Sequence, residues 1–233
     1  MNFDIPDIGI KSLKDLTSKD LYMIFNLSNV PIIPSQNYWS RKLSRNDIPW
    51  DTYYHVNLKN KLMPRNVADF NFKCIHGLNR TGIKLKAMNL GTSKCLTCKI
   101  SDENLEHIIY ECNNSKYVWA LIEKVFRDIF EDNSITVSKP VVLTGFLDDS
   151  TSDKLLIMNV IISITRFHLW KIRNRIRYDF ESISIFKNIV SLKWSLLNHM
   201  SLLKKSHNKL NDLFNQMESK ISVTFKEAMR EHC

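Results

Sequence analysis

The sequence predicts an all-α protein. Its 233 residues include only 5 Gly and 6 Pro, which is few for a β-sandwich, a barrel or an enzyme built on glycine-rich loops. Apolar residues make up 44% of the chain, enough for a sizeable core, and they recur at helical spacing over most of its length. We therefore expect helices joined by short connections, arranged as one large domain or two small ones.

The N-terminal part predicts several short helices. A capping box at 17–20 opens a helix that carries apolar residues as far as Leu27, and the segment 30–34 stops it with two prolines. Three further helix starts are marked by residues that suit a helix N-terminus: Pro49, Pro64 and Thr81.

The remainder of the chain predicts longer helices. Apolar residues repeat at the helical period between Tyr117 and Ile129, behind Ser115 as a cap, so this helix should end near Phe130. Three more amphipathic stretches follow the polar boundary after Phe130. They cover 155–178, 185–203 and 210–229. We predict three parts: a helical region with a metal site at 1–133, a linker loop at 134–152, and a helical hairpin or bundle at 153–233.

The composition limits where the protein acts and what it binds. The first ten residues contain two aspartates and no apolar run of signal-peptide length. The most apolar stretch, 155–164, is half of the roughly 20 residues that cross a bilayer. We therefore expect an intracellular protein, nuclear and cytoplasmic, with no membrane partner. The 33 basic against 24 acidic residues give a pI near 9.3, which favours a polyanionic partner.

The cysteines predict a metal site. Three of the 5 cysteines lie between positions 95 and 112, and with one histidine they form the ordered set Cys95, Cys98, His107 and Cys112. Two cysteines separated by two residues can offer both thiolates to one tetrahedral ion from a tight turn. Four ligands leave no open position for water, so we predict one structural Zn²⁺.

Other interpretations of the cysteines remain open. The four residues could be ordinary intracellular thiols and a core histidine. Upstream, Cys74 and His76 could compete as ligands, although Cys74 fits the apolar face of its predicted helix. Cys233 is interpreted as an inert C-terminal thiol.

Three segments form a combined pattern around this site: residues 70–85, the cysteine cluster 95–112, and residues 105–112 followed by Val118 and Trp119. Together they resemble the zinc-binding domain that follows the polymerase in non-LTR retrotransposon reverse transcriptases. The resemblance is strongest from Trp50 to Phe126 and is absent beyond Ser182.

The resemblance implies a role in gripping template RNA or target DNA while the polymerase primes reverse transcription at a nicked target. It transfers the zinc ligands Cys95, Cys98, His107 and Cys112 residue by residue. The polymerase palm and the endonuclease of the family are missing from this sequence. We therefore expect a non-catalytic part, with RNA, DNA and the remainder of a reverse transcriptase polyprotein as candidate partners.

Two motifs could indicate catalysis, and neither has the context that it needs. The run Phe146-Leu-Asp-Asp149 imitates the aromatic-x-Asp-Asp of a polymerase, but it follows the cysteine cluster and stands where a helix-capping loop is expected. Some related elements carry a restriction-like nuclease with a Pro-Asp pair after the cluster, and no Pro-Asp occurs after position 112. We predict that the chain is not an enzyme.

Two basic surfaces are candidates for nucleic-acid binding. One is the outer half of the predicted helix 155–178, which contains no acidic residue and carries Arg166, Trp170, Lys171, Arg173, Arg175 and Arg177. Its guanidinium groups could contact phosphates and its indole could stack on an unpaired base; alternatively this is a solvated face whose tryptophan packs inside. The second, our first choice, surrounds the cysteines and carries Arg80, Lys84, Lys86, Lys94 and Lys99; alternatively it is only solvated.

The leading prediction is therefore a zinc-stabilised, non-catalytic nucleic-acid-binding domain. Its competitor is a zinc-stabilised helical module that binds another protein or a second copy. The first requires exposed basic residues on one continuous face. The second requires an uncovered apolar stripe on the helix at 185–203 or at 210–229.

Overall fold

The computed structural model describes residues 2–5, 9–12, 34–45, 47–148, 152–182 and 184–231. Its architecture is all-α, as predicted, with one small β-hairpin. The chain divides into two compact units, Met1–Arg45 and Asn46–Cys233. The metal-ligand pattern and all predicted nucleic-acid-binding residues belong to the second unit.

The described residues of the first unit form a hairpin and one helix. Strand β1 (Asn2–Ile5) pairs antiparallel with β2 (Gly9–Ser12), and helix α1 spans Pro34–Lys42. Pro34 was expected to end a helix and instead begins one, which is the position where a missing N–H costs least. The helix predicted after the capping box at 17–20 lies outside the described residues.

The second unit is built from helices whose starts were largely predicted. Pro49, Pro64 and Thr81 each occupy the N-cap position of a helix, as expected. The elements are α2 (Trp50–Asn57), α3 (Arg65–Ile75), α4 (Gly82–Ala87), a π-helical turn (His107–Glu111), α5 (Asn113–Phe130), α6 (Lys139–Thr144), α7 (Asp153–Tyr178), α8 (Ile185–Ser206), a 3₁₀ turn (Asn208–Leu210) and α9 (Asn211–Arg230).

Helix α7 is the centre of the second unit. It packs against α2, α3, α8 and the π-helical turn, while α8 and α9 pair with each other and α9 covers α5. Most residues of the apolar stripes predicted for α8 and α9 are buried: Ile189, Leu192, Leu196, Met200 and Leu203 on one, and Phe214, Met217, Ile221 and Phe225 on the other. Ile185, at the start of α8, is 38% exposed. Each of the buried side chains contributes about 1.5–3 kcal/mol to folding.

The long helix α7 also passes a simple test for a membrane span. Its most apolar window has a mean hydropathy of 1.4, and among the described residues it is the one helix long and apolar enough to cross a bilayer. However, 83% of that window is buried inside the protein. A helix in the core of a folded domain passes the same test.

The segment predicted as a linker, 134–152, differs from that expectation over its described part. It contains α6, and its backbone is held by side chains from elsewhere in the unit. Asn57 donates to the Thr144 carbonyl over 2.8 Å, and the Val137 amide donates 2.7 Å to the Glu123 carboxylate. A buried backbone must find such partners, so this segment packs within the unit, and the chain divides near residue 45 instead.

Candidate metal centre

Four potential ligands converge at one point beside α7. The Sγ atoms of Cys95, Cys98 and Cys112 and a ring nitrogen of His107 all lie within 4.8 Å of one another. Cys98 Sγ lies 3.4 Å from His107 Nε2. Zinc bonds of tetrahedral geometry would separate a sulfur from a nitrogen ligand by about 3.5 Å. The donors therefore fit a single four-coordinate metal ion, and the cluster could hold one.

The first two ligands lie in a short hairpin, residues 94–102, which we call the metal hairpin. Lys94 and Asp102 form an isolated antiparallel bridge, and the Cys95 amide donates to the Ser101 carbonyl over 2.9 Å. Between them the chain turns back, with the Lys99 amide bonded to the Cys95 carbonyl at 2.8 Å and Lys99 itself in the left-handed region, φ 60°. This turn places the two thiols of the Cys-x-x-Cys pair on one side.

The second pair of ligands depends on the π-helical turn. His107 and Cys112 are five residues apart, which on an α-helix separates them by about 140°. In the structure the Cys112 amide bonds to the His107 carbonyl over 2.9 Å, the i to i+5 closure of a π-helix. That wider turn brings both side chains to the same side.

Helix α5 supports the π-helical turn. Its Ser115 hydroxyl donates to the Ile108 carbonyl over 2.6 Å, and the Trp119 indole donates to the Ile109 carbonyl over 2.5 Å. Ser115 was predicted as the N-cap of this helix, and that is wrong: the N-cap is Cys112, and Ser115 lies inside the first turn. A thiolate at a helix N-terminus is stabilised by the amides and the helix dipole.

The thiols of Cys95 and Cys112 have pKa values shifted in opposite directions, an arrangement that a bound cation would relieve. A hydrogen bond between Cys112 and Cys95 lowers the pKa of Cys95 and raises the pKa of Cys112. Two sulfurs this close cannot both ionise easily, because the second negative charge meets the first. A bound divalent ion removes this conflict and holds both as thiolates.

Cys74, a competing candidate, is not part of the cluster. It is buried on α3, and the Asn79 amide donates to its sulfur over 3.2 Å. Burial raises the pKa of Cys74 to about 12, so the thiol stays protonated. The apolar-face interpretation of this residue is the one that fits.

A buried carboxylate anchors the metal hairpin to the rest of the unit. Glu103 is 1% exposed, and its Oε1 accepts from Arg173 at 2.6 and 2.9 Å and from Arg177 at 3.1 Å. Oε1 also accepts from the Gly82 amide over 2.9 Å. The last turns of α7, the start of α4 and the hairpin therefore meet at one residue.

The close packing at this anchor requires glycine at position 82. A Cβ there would lie 2.9 Å from both the Glu103 Cβ and the Ser93 carbonyl oxygen, closer than these atoms pack. The Ile83 amide also bonds to the Glu103 backbone carbonyl over 3.2 Å. Helix α4 is thus fixed against the metal hairpin by its backbone.

The structure corrects the predicted basic face of α7. Arg166 was expected to be exposed, and it is completely buried. Its guanidinium donates to the Leu143 carbonyl and the Asn57 amide oxygen, each over 2.8 Å, and to the Ser163 hydroxyl over 2.9 Å. A guanidinium with this many donors can satisfy several acceptors in a core, but from there it cannot reach a phosphate.

Arg173, Arg177 and Trp170 also turn toward the protein. Arg173 is 5% exposed, and beyond Glu103 it bonds to the Arg80 carbonyl over 2.9 Å. Arg177 donates to the Lys94 carbonyl over 3.2 Å. The half-buried Trp170 ring lies 4.8 Å from the Arg173 guanidinium and 6.0 Å from the Phe70 ring. The prediction of an outward stripe is therefore wrong for the two arginines, because their charges are used inside.

Two of the predicted α7 residues do face outward. Arg175 is exposed and pairs with Glu181, six residues later in the chain. Lys171 is exposed, with its ammonium 5.0 Å from the Phe167 ring. Partial burial, followed by repulsion from Arg175, lowers the pKa of Lys171.

The basic residues around the hairpin are exposed. We define the hairpin face by Arg80, Lys84, Lys86, Lys94 and Lys99, all of which are exposed. Lys84 donates to the Gly77 carbonyl, and Lys94 lies 3.3 Å from the Asp102 carboxylate. A hydrogen bond from Ser93, and then the Lys94 ammonium, lower the pKa of Asp102. No acidic residue occurs from position 70 to position 101.

Two residues of this region were missed at the level of sequence. Glu103 pairs with arginines that lie 70 and 74 positions away in the chain, so no local sequence pattern predicts these pairs. Phe72 lies outside the apolar stripe of α3 and is 46% exposed; its position between the stripe residues was the sequence feature that could have indicated its exposure.

Of the polymerase-like run, Asp148 is exposed, and Asp149 lies outside the described residues.

Comparison with known proteins adds no relative: no protein-family model, curated protein or solved structure matches this chain.

Proposed function

We propose that this chain is a non-catalytic nucleic-acid-binding domain, held in shape by one structural Zn²⁺, that grips template RNA or target DNA. This is the role implied by its resemblance to the zinc-binding region of non-LTR retrotransposon reverse transcriptases. The observation that carries the proposal is the hairpin face: five exposed basic side chains next to the metal cluster. A run of 32 residues without a carboxylate, 70–101, surrounds them.

The chemistry of the donors supports zinc. Three thiolates and one imidazole form a borderline-soft, four-coordinate set, which is typical of structural zinc sites. Harder ions such as Mg²⁺ and Ca²⁺ prefer oxygen ligands. The ion would join the hairpin to the π-helical turn, and so hold α4 and α5 in place around α7.

Continuity of charge supports nucleic acid as the partner. Helix α4 contacts the hairpin through the backbone bond between Ile83 and Glu103. Lys86 of that helix is close enough to lower the pKa of Asp102, after the larger contributions of Ser93 and Lys94. The basic residues of α4 and of the hairpin therefore form one surface, and such a surface binds phosphates by releasing their counterions.

The competing interpretation, a protein-interaction module, lacks its main requirement. It needed an uncovered apolar stripe on α8 or α9, and most of both stripes is buried within the chain. The large exposed apolar residues on these helices are few: Ile185, Trp194, Leu202 and Val223. Scattered exposed apolar side chains are normal on a protein surface.

The metal half of the proposal is tested by stoichiometry. We expect one equivalent of zinc per chain, loss of that zinc in Cys98→Ser, and unfolding of the second unit by a chelator. Cys74→Ala is the matched control, because Cys74 is buried but lies outside the cluster, and it should retain a full equivalent. Melting that is insensitive to a chelator would rule out a structural ion.

The binding half is tested by a salt titration with an RNA hairpin and a DNA duplex. We expect affinity to fall linearly on logarithmic axes as salt rises. Lys86→Glu with Lys99→Glu should weaken binding to both probes and reduce the slope by about one for each phosphate that is no longer neutralised. Lys205→Glu with Lys209→Glu changes the net charge equally, away from the hairpin face, and should have a smaller effect. No binding at low salt would overturn the proposal.

A further inference from the structure

We propose that Phe72, backed by His76, is a base-stacking platform at the edge of the hairpin face, and that the nucleic acid bound there is single-stranded. This inference rests on the proposed function and names its class of ligand. In the sequence alone, Phe72 was one aromatic residue in a helix. The structure separates it from the core.

The two phenylalanines of α3 have opposite environments. Phe70 is 3% exposed, and its ring lies 5.4 Å from that of the half-buried Phe167. Phe72, two residues later, is 46% exposed, because this step turns the helix by about 200°. Its ring centroid lies 4.2 Å from that of His76, at an interplanar angle of 45°. The ring is therefore oriented by a neighbour one turn away while much of it remains open to solvent.

Lysines lie near the end of α3 that carries this ring. Lys73 is the next residue and is exposed. Lys84 donates to the carbonyl of Gly77, which follows His76, so the hairpin face begins where α3 ends. An aromatic ring beside ammonium groups is the arrangement by which proteins hold single strands: bases stack on the ring and amines track the phosphates.

The other exposed aromatic side chains among the described residues of the second unit are less suited to this role. Tyr178 is 52% exposed, but the Arg173 guanidinium already lies 5.7 Å from its ring centroid. Phe180 is 89% exposed between Asp179 and Glu181, so two carboxylates adjoin it in the chain, whereas α3 carries one exposed carboxylate near Phe72, that of Asp69. Trp194 is 59% exposed on α8, which is not among the elements of the hairpin face. The exposed apolar residues in the stretch that carries the hairpin face are not aromatic and offer no π-surface to a base: Leu78, Ile83, Met88, Leu90 and Ile100.

A stacking platform favours single-stranded over duplex nucleic acid for a geometric reason. In a duplex the flat faces of the bases are covered by their neighbours, so a side chain on a helix reaches phosphates but not base faces. In a single strand the base faces are open, and stacking on one aromatic ring typically strengthens binding roughly five-fold or more, at roughly 1–3 kcal/mol per base. A stacking platform therefore discriminates between the two forms where charge alone does not.

The test compares three probes with about ten nucleotides per strand: a single-stranded RNA, its duplex, and an abasic single strand with the same phosphates. We expect the RNA single strand to bind more tightly than the abasic strand. Phe72→Leu should weaken single-strand binding roughly five-fold or more and leave duplex binding unchanged. Phe72→Tyr, which keeps the ring, should restore the affinity. Trp194→Leu is the control for an exposed aromatic residue elsewhere, and it should have no effect.

The outcomes separate this inference from the proposed function. Zinc content and far-UV circular dichroism of each variant check that it is folded. If the charge variants of the hairpin face weaken binding but Phe72→Leu does not, or if the abasic strand binds as tightly as the RNA, the stacking platform is wrong and the proposed function stands. If no probe binds even at low salt, both are wrong.

Discussion

Two stretches of this protein have nearly the same charge pattern and opposite fates. Residues 70–101 and residues 155–178 are both rich in lysine and arginine, and neither contains an acidic residue. In the first stretch the basic side chains are exposed around the metal hairpin. In the second, Arg166 and Arg173 are buried and Arg177 is bonded to the hairpin. The sign of a segment's charge therefore does not tell where that charge lies.

The residue types explain much of the difference. The exposed stretch has five lysines and one arginine, while 155–178 has four arginines and one lysine. An ammonium group is strongly hydrated and is costly to bury, whereas a guanidinium is less hydrated and presents several donors in a fixed plane. Arg166 uses that plane to bond three acceptors from different parts of the unit. Arginines without nearby carboxylates in sequence are therefore candidates for internal anchors as well as for phosphate contacts.

The largest expected effect comes from removing the acceptor that both inward arginines share. Glu103→Ala leaves Arg173 and Arg177 without their carboxylate in a buried site, which should cost about 3–5 kcal/mol of unfolding free energy. Denaturant unfolding in the presence of added Zn²⁺ measures it. The variant should also loosen the metal hairpin, since Glu103 lies between Cys98 and His107 in the chain.

An exposed ion pair on the same helix is the control for that experiment. Arg175 pairs with Glu181 at the protein surface, where solvent screens the attraction. Arg175→Gln should therefore leave the unfolding midpoint almost unchanged. If it destabilised the protein as much as Glu103→Ala, the contrast between anchoring and surface arginines would fail.

An effect of intermediate size is expected in the pH dependence of stability, from another buried basic residue of α7. His168 is buried on α7, with Nε2 2.8 Å from the Asn188 amide oxygen, and burial lowers its pKa to about 4. The unfolded chain binds a proton near pH 6.5, but the folded chain does not until about pH 4. Stability should therefore fall as the pH decreases through this window, by up to roughly 3 kcal/mol, and this contribution should level off below it.

His168→Gln isolates that contribution, because the amide can still donate to Asn188 but does not titrate. Protonation of the candidate metal ligands would also weaken a metal-bound protein in acid, so the measured quantity is the difference between the two proteins at each pH. That difference should change between about pH 6.5 and about pH 4. Parallel stability curves over this range would show that His168 is not the group responsible.

The smallest effect on stability is expected in the exposed stretch. Lys86→Gln removes one charge from the hairpin face, where no described side chain bonds to it, and should change the unfolding free energy by less than about 0.5 kcal/mol. The same substitution should lower affinity for an RNA hairpin and reduce its salt dependence. A stability loss comparable to that of Glu103→Ala would mean that Lys86 is a structural residue.

The candidate site was predictable only in part. The spacing of Cys95, Cys98, His107 and Cys112 was enough to identify the ligand set, because a Cys-x-x-Cys turn restricts where two thiols can point. The π-helical turn that aligns His107 with Cys112 was not predictable. It depends on Ser115 and Trp119 bonding to the carbonyls of the preceding turn, which a local helical period does not reveal.

The all-α class, most helix starts and the cluster of potential metal donors follow from the amino-acid sequence alone. These depend on interactions between residues close in the chain: prolines at helix starts, apolar periodicity and a tight turn. Packing between distant segments determines which charges are used inside, how the metal hairpin is anchored, and that Phe72 is exposed while Phe70 is buried. Those outcomes depend on partners tens of residues away, such as Glu103 for Arg173. Local spacing and periodicity in the sequence do not predict such pairs.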